Sequence, residues 1–139
     1  MRQATGTITV KPVRPGLIAI TDLIRPWFRT QGLTTGLLTM FCQHTSASLL
    51  IQENASPAVR DDLEAYFERI APEAVNVYTH ADEGPDDMPA HLKTALTQVN
   101  LSIPLIDGDL ALGTWQGIYL FEHRRHPPRR IIALHLIGE

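Results

Sequence analysis

Residues 35 to 44, "TGLLTMFCQH", constrain the fold more tightly than any other stretch of the chain. Leu38, Met40, Cys42 and His44 fall on one face of an extended strand, and Leu37, Thr39, Phe41 and Gln43 on the other. A period of two belongs to a β-strand, and bulky apolar residues on at least one face need a covering layer. "TGTITVK" (5–11) and "GLIAI" (16–20) read as further strands, and "SASLLIQE" continues in extended form after residue 44.

Helical spacing interrupts this pattern. Thr21 or Asp22 starts a short helix through Phe28 and Arg29, ended by Gly32, with Pro26 in its early turns. Ser56 and Pro57 supply the N-cap and first helical residue of a longer helix to about Ile70, with Val59, Leu63, Tyr66, Phe67 and Ile70 on its apolar face. Another starts at Asp87 and runs to about Val99, with Leu92, Leu96 and Val99 as its stripe. The last third is strand and turn: "LSIPLI", "DGDLALG", "WQGIYLFEHR" and "RRIIALHLIG". Strands, two main helices and an antiparallel finish predict α+β rather than repeated βαβ units. The expected core contains Leu38, Met40, Phe41, Leu63, Phe67, Leu96, Ile118, Leu120, Ile132 and Leu134.

A chain of 139 residues with 44% apolar content suits one domain over residues 1–139. The net charge of −3 gives no basic surplus for nucleic acid. The apolar runs are too short for a membrane span, and the first residues lack the apolar core of a signal peptide. One cysteine, Cys42, makes no internal disulfide. The expectation is a cytoplasmic protein that engages neither nucleic acid nor membrane.

The chemistry concentrates in "YTHADEGPDDMPAH" (78–91), a loop that runs into a helix N-terminus. His80 and His91 flank Asp82, Glu83, Asp86 and Asp87, and a turn at Gly84-Pro85 can fold the imidazoles together. His44, at the end of an otherwise apolar strand face, offers a third imidazole for an open zinc-type site. Its alternative is a strand-end histidine satisfied by the backbone. Glu122 shares a face with Ile118 and Leu120, so alternation turns a carboxylate into an apolar layer, as a site residue or as half of a structural ion pair. Trp115 and Gln116 stand between two glycines, where a ligand or a tightly packed Trp would fit. "EHRRHPPRR" (122–130) reads as an arginine clamp for phosphate or a solvated hairpin tip. Cys42 and Ser46 beside His44 lack an orienting group for nucleophilic catalysis, so Cys42 is read as packing.

Four separated pieces, "CQHTSASLLIQENASPAVRDDLEAYF", "YTHADEGPDDMPAH", "GDLALGTWQGIYLFE" and "RRIIALHLIGE", resemble the YjbQ family over most of the chain. Members of this uncharacterised family are described in places as secondary thiamine-phosphate synthases. The resemblance implies a YjbQ-like fold of two packed, mostly antiparallel sheets, a homotrimer, and a metal gathered by the residues at His44, His80 and His91. Two departures stand out. Met88 and Pro89 follow the paired aspartates where the family often has Asn and a small residue, and "HRRHPPRR" replaces an acidic-Gly-Pro-Arg turn.

The function implied is transfer of a pyrimidine-methyl group from its diphosphate to thiazole phosphate. Glu122, Glu83 and Asp87 are the candidate catalytic carboxylates. Ser46, Trp115, Gln116, Arg129 and Arg130 are the candidate contacts to a small phosphorylated metabolite. Three imidazoles favour zinc, whereas diphosphate chemistry favours magnesium on groups such as Asp86 and Asp87. Two other readings stand beside the transferase: a metal-dependent hydrolase of a phosphorylated metabolite, and a trimeric metabolite-binding protein without catalysis.

Overall fold

The computed structural model describes residues 1–139. Its elements run β1 (Arg2–Val10), β2 (Gly16–Ala19), α1 (Thr21–Thr30), β3 (Gly36–Cys42), β4 (Ala47–Glu53), α2 (Pro57–Ile70), α3 (Asp87–Leu96), β5 (Asn100–Ile106), β6 (Asp109–Leu110), β7 (Gln116–Glu122) and β8 (Arg130–Gly138). They form a five-stranded sheet in the order β1-β8-β3-β5-β6 and a three-stranded sheet in the order β2-β7-β4. Every strand pair is antiparallel. The fold is a single α+β layer structure, as the element order predicts.

Alternation explains how the sheets face each other. Leu38, Met40 and Cys42 of β3, Ile132, Leu134 and Leu136 of β8, and Leu101, Ile103 and Leu105 of β5 point inward and are buried. Ile118 and Leu120 of β7 and Leu49 of β4 meet them from the smaller sheet. β7 is covered on both sides: Tyr119 and Phe121 face away from this core and pack with Leu17, Leu50, Leu63 and Phe67 under α2. A central strand with two covered faces reads as a near-continuous apolar run, and β7 does. Asp107 and Gly108, at φ 52° and 79°, close the β5–β6 turn, where two successive left-handed residues suit a tight antiparallel hairpin.

Several local expectations are corrected. Phe41 is 48% and Leu96 61% exposed, because each lies on the outer side of its element. Leu63 and Phe67 are half-buried, and α2 has no fully buried residue, so this helix lies on the surface of the smaller sheet. α3 ends at Leu96, three residues before Val99. Pro26 stands inside α1, beyond the first turn, and removes a helical hydrogen bond that an N1 proline would not. No helix is long and apolar enough to cross a membrane.

Candidate metal centre

The loop from Tyr78 to Asp86 reverses at Gly84, whose φ of 103° is a conformation side chains resist. The Asp87 N–H then donates to the Gly84 carbonyl, and α3 begins with Asp86 as its N-cap residue. Asp87 therefore occupies the first helical position rather than the cap, and its side chain turns inward to 2% exposure. His91 follows one turn later on the same face of α3.

These positions converge. The Oδ2 atom of Asp87 lies 2.6 Å from His80 Nε2 and 3.1 Å from His91 Nε2, and Glu83 Oε2 lies 3.2 Å from His80 Nε2. One ligand atom from each of His80, Glu83, Asp87 and His91 falls within 4.8 Å of the others. Adjacent ligands on tetrahedral zinc sit about 3.3 Å apart, given bonds of about 2.0 Å. The His80–Asp87 contact would have to open and the wider pairs to close.

Arg124 organises the acidic side. Its Nη1 donates to Asp87 Oδ1 at 2.5 Å, its Nε to Asp86 Oδ2 at 3.0 Å, and its Nη2 to the Glu83 carbonyl at 2.8 Å. The Arg125 backbone N–H adds a bond to Asp86 Oδ2. Burial works to raise the Asp86 carboxyl, yet the Arg125 and Arg124 hydrogen bonds outweigh it and hold it below the usual carboxylate range. Asp87 behaves alike: desolvation opposes, but the bond with His80 and the His91 and Arg124 charges keep it low. The His80 imidazole is pushed up, first by its bond to Asp87 and then by the Asp87 and Glu83 charges.

His91 supplies the test of fit. Its Nδ1 is 2.8 Å from the Thr45 carbonyl, which only accepts, so Nδ1 carries a proton. Its Nε2 then faces the Asp87 carboxylate 3.1 Å away, and with nothing between them these would be two electron-rich atoms facing each other. A proton or a cation between them resolves the repulsion. The backbone-anchored Nδ1–H is the arrangement metal-ligating histidines use to fix their tautomer. With two imidazoles and two carboxylates, the donor set fits a divalent metal.

His44 stands outside this group. Its Nε2 accepts the Ile131 N–H at 2.8 Å, which leaves the ring proton on Nδ1, and burial followed by the Arg130 charge pushes the imidazole down. It shares a surface cleft with His91 but lies outside the four-residue cluster. Glu122 and Arg130 are also elsewhere: both are about fully buried, and Arg130 donates from Nε to Oε1 at 2.7 Å and from Nη2 to Oε2 at 2.5 Å. The same guanidinium binds the Ser46 carbonyl and hydroxyl. Arg130 thus ties the buried Glu122 to the half-buried Ser46. The carboxylate is committed to a salt bridge rather than to proton transfer, and the arginine is closed to phosphate. Arg129 is exposed at the turn. Trp115 is 62% exposed, and Gln116 accepts the Gly113 N–H at the far end of β7 from Glu122. Asp82 is exposed. Cys42 is packed in the core, its thiol pushed up to about 11 by burial, so it is no nucleophile.

Sequence reasoning missed a second polar group. Ser48 Oγ lies 2.9 Å from His123 Nε2 and accepts from or donates to Thr97 Oγ1 at 2.7 Å. The continuous "FEH" after an apolar strand was the available signal, since alternation sends Glu122 and His123 to opposite faces. Burial, then the Lys93 and Arg130 charges, pushes His123 down to about 3.

Two packed antiparallel sheets carrying this imidazole–carboxylate cluster define a small α+β protein with a group able to hold a metal ion. The chain belongs to the UPF0047 protein YjbQ-like family, which it matches over residues 6–139. It is 52% identical to a UPF0047 protein of Synechocystis sp., over 78% of this chain and 74% of that one. It is 47% identical to the UPF0047 protein YjbQ of Salmonella typhimurium over 94% of each chain. Among solved structures, a YbjQ-like protein of unknown function from Sulfolobus solfataricus superposes with a TM-score of 0.90 at 23% identity, covering 99% of both chains. An uncharacterised YjbQ/UPF0047 protein from Clostridium acetobutylicum gives 0.82 at 30% identity, covering 96% of this chain and 99% of that one.

Proposed function

We propose that the protein is a metal-dependent enzyme acting on a small phosphorylated metabolite, with the metal held by His80 and His91 and by the Asp87 and Glu83 carboxylates. The supporting observation is the convergence of His80, Glu83, Asp87 and His91, with His91 Nδ1 anchored on the Thr45 carbonyl so that Nε2 faces the Asp87 carboxylate. Mixed nitrogen and oxygen donors favour zinc; magnesium would rest mainly on the carboxylates. When bound, the metal would supply Lewis-acid stabilisation of phosphate charge.

The reaction suggested by the family resemblance joins a pyrimidine-methyl group to thiazole phosphate and releases pyrophosphate. In this reading Asp87 positions both imidazoles and Arg124 holds Asp87 and Asp86 in place. Assembly as a homotrimer belongs to the same reading. The outer face of the larger sheet, where Leu37, Phe41, Ile131 and Ile106 are exposed, is an apolar surface for it.

The test is elemental analysis of zinc-supplemented protein, followed by assay with the pyrimidine-methyl diphosphate and thiazole phosphate together. Metal with stoichiometric pyrophosphate release supports the transferase. Metal with phosphate release from simple esters supports a hydrolase instead, and saturable ligand binding without turnover supports a metabolite-binding protein. Metal-free wild type overturns the proposal.

A further inference from the structure

The largest cavity is lined by residues outside the histidine cluster. It has a volume of about 760 Å³ and is bounded by the β1–β2 connection, the start of α1, the end of β4 and the start of β7. None of His80, Glu83, Asp87 and His91 lines it. The cavity is therefore a separate place and not an extension of the metal centre.

Its wall is strongly cationic. Lys11, Arg14, Arg25 and Arg60 line it, against the single acid Asp22. Arg60 is half-buried, reaches the Tyr119 hydroxyl at 3.3 Å and stacks 5.9 Å over that ring, with no carboxylate partner. Arg25 has a buried Nε with no hydrogen-bond partner, and its ion pair with Asp22 is long, 3.8 Å, and almost fully solvent-exposed on the acid's side. Burying a guanidinium N–H without an acceptor is costly, and a ligand oxygen removes that cost. Arg14 meets Glu64 only at 3.9 Å.

We propose that this cavity is a second ligand site, one that binds a small organic phosphate carrying at least two negative charges. Its volume falls in the range of small-molecule pockets. Guanidinium groups arriving from three segments suit a tetrahedral group with three oxygens better than a planar carboxylate. Ile18 and Val13 provide apolar surface for the organic part. The net charge of −3 disfavours an extended nucleic-acid partner.

The experiment follows backbone amides by NMR in full-length, chelator-treated protein at about 0.15 M salt, a concentration that screens loose surface charge. Inorganic pyrophosphate is the probe. Saturable shifts at Thr21, Asn54 and Gly117 are expected, with affinity falling by about tenfold or more in an Arg25→Gln/Arg60→Gln variant. Lys11→Glu, at an exposed position, gives a second reading that does not depend on the folding of that variant, and should weaken binding by at least about threefold. Shifts confined to Asp87 and His91, no saturation, unchanged affinity in both variants, or tighter binding of citrate than pyrophosphate would each overturn the proposal. So would binding of a single-stranded oligonucleotide in place of pyrophosphate.

Discussion

His91 and Asp87, one helical turn apart on α3, face each other across 3.1 Å through Nε2 and Oδ2 because the Thr45 carbonyl holds the other nitrogen of the ring. Zinc affinity should therefore depend on both. His91→Ala and Asp87→Asn should each lower it by about 10- to 100-fold, read by competition with a chromogenic chelator. His44→Ala should leave the stoichiometry unchanged, since its Nε2 already accepts from Ile131. Full zinc binding by the Asp87 variant would discard the site.

Glu122 and Arg130 should behave as structural partners. Removing one leaves the other charged and buried, so Glu122→Ala should cost about 3–5 kcal/mol in urea unfolding. Replacing both with apolar residues of similar volume should cost less than the two single changes summed. A Glu122 variant of native stability that has lost only turnover would return this residue to catalysis.

His123 sets an acid dependence. Its folded value is about 3, below the ordinary 6.5, so the unfolded chain takes up the proton first as pH falls. Stability is full above about 6.5 and declines toward 3, at up to about 1.4 kcal/mol per pH unit. His44, also pushed down, acts in the same direction. His80, pushed up, acts oppositely: its contribution is whole below about 6.5 and is lost as pH rises through its raised value. Unfolding at pH 7 and pH 5 should show a smaller acid loss in His123→Gln than in wild type. Equal losses would contradict a buried neutral imidazole.

Light scattering at micromolar concentration should give three chains of 15.5 kDa each. Phe41→Lys, on the exposed side of β3, should shift that mass toward the monomer. A monomeric wild type removes the trimer.

What was legible in the sequence was whatever repeats locally. The alternation at 36–42 and the Ser56-Pro57 and Asp87 helix starts match the structure because each is decided by near neighbours. Which face ends up outside was less legible: Phe41 and Leu96 carry core-like side chains, but nothing in the chain covers their side. Within the site, the His80–His91 convergence was visible from the acidic turn between them. The commitment of Arg124 to Asp86 and Asp87 was not, since it joins positions 38 and 37 residues apart. Nor was the choice of Glu122 between site and salt bridge, which rests on Arg130 returning from the other sheet.

That salt bridge also limits how the protein can vary over time. Either charge alone would be stranded in the interior, so a lineage losing one passes through a poorly folded ancestor unless the second change arrives with it. Positions 122 and 130 should consequently be inherited as a unit, exchanged together or kept together, while only the tip at 126–129, beyond the buried His123 and the committed Arg124, is free to drift.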